Sequence, residues 1–112
     1  MLPKQHRLSN KDFKKLFQNG EKIRGEFGML IHTTEGSPTS PALFGFVVNK
    51  KVGNAVERHG LTRQLRSLAM DAIKSDKEMF SGKKFQYIAF KKPKAFSELK
   101  KEFENQIAKI SA

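Results

Sequence analysis

Residues 49–70 carry five Lys or Arg and a single acid. The cations are Lys50, Lys51, Arg58, Arg63 and Arg66, and the acid is Glu57. Cations so placed neutralise a polyanion. On a helix turning about 100° per residue, Arg58, Arg63 and Arg66 fall within an arc of about 140°. Lys50 and Lys51 lie at the N-terminal end of that helix, where free backbone N–H groups and the helix dipole favour phosphate. Gly53 permits close backbone approach at the turn into the helix. Asn54 suits the N-cap position, with Glu57 three residues on. His59 stands among the cations. The competing reading is a solvated helix face beside a tight turn, which requires no ligand.

Other chemistries lack their residues. His6, His32 and His59 are the only histidines, and none has metal-ligand spacing. There is no Cys, which excludes disulfides, thiolate nucleophiles and Cys-type zinc sites. The acids are scattered, so no carboxylate cluster for a protein-borne Mg²⁺ is expected. Asp76, Glu78, Glu98, Glu102 and Glu104 lie among lysines and read as a solvated face. No paired base, acid and oxyanion site is evident, so no catalytic residue is assigned.

Composition points the same way. A formal charge of +11 on 112 residues calls for a polyanionic partner, with nucleic acid first and an anionic membrane surface second. The length suits one domain over residues 1–112. Hydrophobic residues make up 38%, including ten Phe, enough for a folded core. No apolar run reaches bilayer length and the first residues have no apolar signal-peptide region, so a cytoplasmic chain is expected.

The elements that must position the basic segment follow from periodicity. A first helix should begin at Ser9, with Ser9 and Asp12 as a capping box and Phe13, Leu16 and Phe17 at helical spacing, stopping at Gly20. Residues 23–32 read as a strand that Gly25 and Gly28 weaken or bend, with a possible extra strand at 21–25. Residues 33–41 read as a loop. Residues 42–50 form a strand with Phe44, Phe46 and Val48 on one face and Leu43, Gly45 and Val47 on the other. A long helix over 54–74 has an apolar stripe of Leu61, Leu65, Leu68, Ala72 and Ile73. Gly60 inside it costs about 1 kcal/mol relative to Ala. A strand over 85–91 and a helix from Ser97, lined by Phe96, Leu99, Phe103, Ile107 and Ile110, complete the chain. The order is roughly αβββαβα, a mixed sheet of about four strands packed against helices.

The run Lys50-Lys51-Val52-Gly53-Asn54-Ala55-Val56-Glu57-Arg58 closely resembles the signature of the bacterial ribonuclease P protein family. Arg7-Leu8, Asp12-Phe13, Leu16-Phe17 and Gly20 resemble the family's opening helix. Phe44-Gly45-Phe46-Val47-Val48-Asn49 resembles its strand before the motif, and Tyr87-Ile88-Ala89 its late apolar strand. There are departures. The family's Arg-Asn-Arg is Arg58-His59-Gly60 here, its Ile-Lys-Arg is Leu61-Thr62-Arg63, and a basic residue usual after the late strand is Phe90, with Lys91 and Lys92 just beyond.

The resemblance implies an α+β two-layer sandwich, ribosomal-protein-S5-domain-2-like, with a left-handed crossover. It implies a subunit of a ribonucleoprotein endonuclease that removes the 5′ leader of precursor tRNA. Ribonuclease P RNA would perform the hydrolysis with its own bound Mg²⁺, and the protein would not be catalytic alone. The protein would be a monomer in a 1:1 complex, with no membrane role. The set expected on the RNA subunit is Lys50, Lys51, Asn54, Arg58, His59, Arg63 and Arg66. His59 would donate a hydrogen bond in place of the family's Asn. Phe13 and Phe17 would border the leader-binding cleft, core packing being the alternative for either. Phe44, Phe46 and Lys91 complete the candidate cleft set, although alternation leaves open which face of the Phe44 strand is core. Aromatic faces beside a basic groove suit single-stranded RNA. A non-catalytic RNA-binding or ribosome-assembly protein of related fold is the alternative reading.

Overall fold

The computed structural model describes residues 6–34, 42–75 and 80–111. Helix α1 spans Asn10–Asn19. Ser9 caps it: its hydroxyl oxygen accepts from the Asp12 N–H at 3.4 Å and donates to the Asp12 carboxylate at 2.9 Å. At the other end the Gly20 N–H donates to the Leu16 carbonyl at 2.7 Å. A Cβ on Gly20 would lie 2.6 Å from Ile31 Cγ2, so helix and sheet meet there with no room for a side chain.

Strands β1 (Glu21–Arg24) and β2 (Gly28–Thr34) form an antiparallel hairpin. The sequence expectation of one bent strand over 23–32 is corrected here. Gly25 and Gly28 bracket a turn, closed by the Gly25 N–H donating to the Gly28 carbonyl at 2.8 Å. The possible extra strand at 21–25 is the first arm of that hairpin. Thr33 and Thr34 extend β2 and do not start a loop, and residues 35–41 of the expected loop lie outside the described residues.

Strand β3 (Leu43–Val48) leads through a 3-10 turn (Lys50–Val52) into helix α2 (Ala55–Ser75). Strand β4 (Lys83–Ala89) and helix α3 (Phe96–Ser111) follow. The sheet order is β1-β2-β4-β3, with β3 parallel to β4 and the other pairs antiparallel. Parallel neighbours need a crossover, and α2 supplies it.

Alternation along the strands divides the packing between two faces. Leu30, Phe44, Phe85 and Tyr87 face α2 and α3, meeting Leu61, Leu65, Leu68, Ala69, Ile73, Leu99 and Phe103. Phe44 and Phe85 stack with centroids 4.6 Å apart. The opposite face carries α1 over a smaller cluster of Leu8, Leu16 and Ile31, flanked by Phe13, Met29, Leu43 and Ile88. Phe96, expected in the apolar stripe of α3, is 41% exposed at the helix start.

One expected surface acid is structural. Glu102 is half-buried and reaches back to the β1–β2 turn, accepting from the backbone N–H of Glu26 and, at 3.0 Å, of Phe27. A carboxylate there satisfies turn donors that no strand partner reaches. Glu98 and Glu104 are exposed as expected, and Asp76 and Glu78 lie outside the described residues.

Candidate nucleic-acid interface

The entry into α2 is built by local bonds. The Asn49 side chain accepts from the Lys51 N–H at 3.0 Å, starting the 3-10 turn, and buried Val52 pins that turn to the core. Gly53 follows with φ 157°, which side chains rarely adopt, and a Cβ there would lie 2.5 Å from the Glu57 carboxylate. Asn54 and Glu57 form a reciprocal capping box. The Glu57 N–H donates to Asn54 Oδ1 at 2.9 Å, and the Asn54 N–H donates to Glu57 Oε1 at 3.1 Å.

That box takes up two of the N–H groups that the sequence reading offers to phosphate, those of Asn54 and Glu57. The Glu57 carboxylate occupies the place of the anion and also pairs with Lys92. The Lys92 ammonium and then the Asn54 N–H hold its pKa below the ordinary glutamate value.

The side chains are available. Lys50, Lys51, Asn54, His59 and Arg63 are exposed, and Arg58 and Arg66 half-exposed. Among the described residues none of Lys50, Lys51, Arg58, Arg63 or Arg66 pairs with an acid, whereas Lys84, Lys91 and Lys92 pair with Asp12, Glu26 and Glu57. Arg58 Nε is buried with no hydrogen-bond partner, beside a hollow of about 230 Å³ lined by Val48, Ala55, Arg58, His59 and Thr62. Thr62, where the resembled family carries Lys, turns its hydroxyl back onto the Arg58 carbonyl at 2.9 Å. Gly60 faces open space: a Cβ added there would meet nothing within 4 Å.

A separate groove of about 660 Å³ runs between α1 and the edge strand β3, lined by Phe13, Lys14, Phe17, Gln18, Phe46, Val47 and Gln86. Asp12 anchors α1 to β4 through Lys84 at 3.3 Å, and its pKa is lowered by the Ser9 hydroxyl first and by Lys84. The Phe13 ring lies over Gly45, where a Cβ would come 2.3 Å from Phe13 Cζ. Phe13 is thus packed onto the strand. Phe17 is 46% exposed, with Lys22 Nζ 5.0 Å above its ring.

The expected cleft set is only partly assembled. Phe13, Phe17 and Phe46 line the groove. Phe44 does not: it is 1% exposed in the core under α2, because its face of β3 is the inward one. Phe46 shares that face and stacks on Phe44 at 6.1 Å, but reaches the groove because β3 is the sheet edge. Lys91 is not a lining residue either. It lies past β4, its backbone N–H on the Phe27 carbonyl and its ammonium on Glu26 at 3.2 Å. Sequence reasoning misses Lys14, Gln18, Val47 and Gln86. Gln86 carries a signal, a lone amide inside an apolar strand.

Among the described residues no three His, Asp or Glu side chains gather as a metal-binding group. No helix among them is long and apolar enough to cross a membrane.

A mixed four-stranded sheet with a bare basic helix on one side and an aromatic groove on the other defines a small α+β protein suited to a polyanionic chain. The ribonuclease P family model matches residues 2–111. The ribonuclease P protein component of Bacillus velezensis is 32% identical over 98% of this chain and 93% of its own length. That of Corynebacterium diphtheriae is 38% identical over 62% of this chain, a stretch covering 64% of the relative. The RNase P proteins of Staphylococcus aureus and Thermotoga maritima share the fold, with TM-scores of 0.73 and 0.70 at 23% and 21% identity. These alignments cover 96% and 92% of this chain, and 96% of each solved chain. The chain belongs to the ribonuclease P protein family, the RNA-binding protein components of a tRNA-processing ribonuclease.

Proposed function

We propose that this chain docks onto ribonuclease P RNA through the exposed face of α2 and holds the single-stranded 5′ leader of precursor tRNA in the α1–β3 groove. In this role it promotes 5′ maturation of tRNA in the cytoplasm as a monomer bound 1:1 to the RNA. The RNA subunit performs the hydrolysis and holds the Mg²⁺ it requires. The observation that carries this reading is the set of five cations along the first half of α2 and the turn before it that, among the described residues, have no acid partner. Unpaired cations on one face repel each other, and RNA phosphates relieve that repulsion while releasing counterions. Lys50, Lys51, Asn54, Arg58, His59, Arg63 and Arg66 make up this surface.

Reconstitution tests the reading. Purified protein alone should leave precursor tRNA intact, and it should stimulate a bacterial ribonuclease P RNA at low Mg²⁺. No stimulation at any Mg²⁺ concentration would refute it. Arg63→Ala should reduce the slope of log affinity against log salt by about 0.7 to 0.9, the value for one lost phosphate contact.

A further inference from the structure

Gln86 is 4% exposed, and its Oε1 is buried without a hydrogen-bond partner. It sits on β4 between Gly45 of β3 and Ile31 of β2, neither of which offers a side-chain partner. On the same strand face, Lys84 is engaged by Asp12 and Ile88 packs under α1. The other buried glutamine shows the contrast. Gln106 Oε1 is likewise buried without a partner, but its Nε2 donates to the carbonyls of Ile23 and Gly28 at 3.0 and 3.1 Å, so that amide is spent on tying down the hairpin. Gln86 makes no comparable bond, yet it lines the groove together with Phe13, Phe17 and Phe46. A buried orphan amide is a cost to the fold that calls for a partner supplied from outside. Turning the amide over would only exchange which of its polar atoms is orphaned.

We infer that Gln86 is a specificity-determining residue that reads the edge of a nucleobase held in the α1–β3 groove, and this rests on the groove being the leader site. With Oε1 as the buried atom, the base must supply a donor. The exocyclic amine of adenine or cytosine does so, and the ring nitrogen beside it accepts from Nε2. The exposed Phe17 ring offers the base a stacking face, with Lys22 and Lys14 near for the backbone phosphates. Phe13 and Ile31 exclude water from the amide's flanks, which raises the penalty for a base that leaves it unpaired.

The test is binding of short single-stranded RNA to the full chain, comparing oligoadenosine with the same length of purine riboside, which lacks only the amine. Wild type should prefer the adenosine strand by at least about fivefold, the lower range for an amide–base pair. Gln86→Met should bring the ratio close to unity without lowering the thermal midpoint, because it removes an orphan amide at similar volume. Gln86→Leu should behave alike, which guards against an effect peculiar to the thioether. Phe17→Ala should weaken both strands. An equal affinity of wild type for the two strands, or a preference that survives in Gln86→Met and Gln86→Leu, would overturn the inference. A clear drop in thermal midpoint in both variants would overturn it too, by showing the amide to be a structural partner. If Phe17→Ala leaves both affinities unchanged, the groove reading itself fails, which separates the two ideas.

Discussion

The α2 face and the α1–β3 groove present RNA-compatible chemistry in opposite ways. The α2 face is continuous in sequence and charged, and among the described residues its cations have no acid partner. The groove is assembled from a helix and the β3 and β4 strands, is largely aromatic, and depends on which side of an edge strand faces inward. A charged helix face survives small shifts in packing, because phosphate contacts act at some distance and through flexible stems. The groove is defined by close contacts such as Phe13 over Gly45, so sub-ångström changes alter it.

The largest effect should come from a residue both surfaces need. Phe44 stacks on Phe85 and Phe46 at the centre of the core. Phe44→Ala should destabilise the fold by about 3 to 5 kcal/mol. Thermal or denaturant melts would measure this, and both RNA surfaces should be lost together. If Phe44→Ala instead weakened only single-stranded RNA binding at unchanged stability, Phe44 would belong to the groove after all.

Next comes a change that should divide the two surfaces. Gly45→Val places branched carbon where the Phe13 ring lies. Overpacking of this kind costs about 1 to 3 kcal/mol and displaces the ring. Single-stranded RNA binding should fall, while the salt dependence of binding to the RNA subunit stays as in wild type. Equal losses at both would mean that the two regions are not independent.

These two residues also show what the sequence can and cannot convey. The α2 stripe, its Asn54–Glu57 cap and its cations are legible because every signal lies within a few residues. The alternation of β3 is equally legible, but a period of two leaves its sign undetermined until the neighbouring layers are known. Sequence alone therefore admits Phe44 to the cleft, and it does not single out Gly45 as the residue that seats Phe13. Gly25 and Gly28 read as a bend in the sequence, since turn and bend share residue types. Glu102 looks solvated because the turn it caps is 75 residues away in the chain. The Lys50–Val52 turn escapes notice because its signal, Asn49 capping Lys51, is too short for periodicity to register.

Gly60→Arg should sharpen the α2 side of the comparison with a gain. The site is an open helix position. Replacing Gly with a good helix former should add about 1 kcal/mol of stability. The new guanidinium lies next to His59 on the side where the resembled family carries Arg. Affinity for the RNA subunit should rise, and the salt slope should steepen by about 0.7 to 0.9 if one phosphate is contacted. Higher stability with an unchanged slope would place the RNA away from this turn of the helix.

The smallest effect should be a local pH dependence that touches α2 and spares the groove. Glu57 is held below its ordinary value of 4.5 by Lys92 and by the Asn54 N–H. A depressed carboxyl contributes stability at pH above its unfolded value, and that contribution fades as pH falls through the lower folded value. At pH 7 the cap should be fully formed; its contribution should start to fade below about 4.5, and protonation should release Lys92 and fray the first turn of α2 as pH falls through the lower folded value. Amide exchange of Glu57 and Arg58 followed against pH would detect this, and Glu57→Gln should abolish the pH dependence while keeping part of the cap. Asp12 is depressed as well, through Ser9 and Lys84, so α1 supplies an internal comparison. Fraying of α1 that tracks Asp12 but leaves α2 protected would show that the Lys92 pair, rather than the capping box, is dispensable for the basic face.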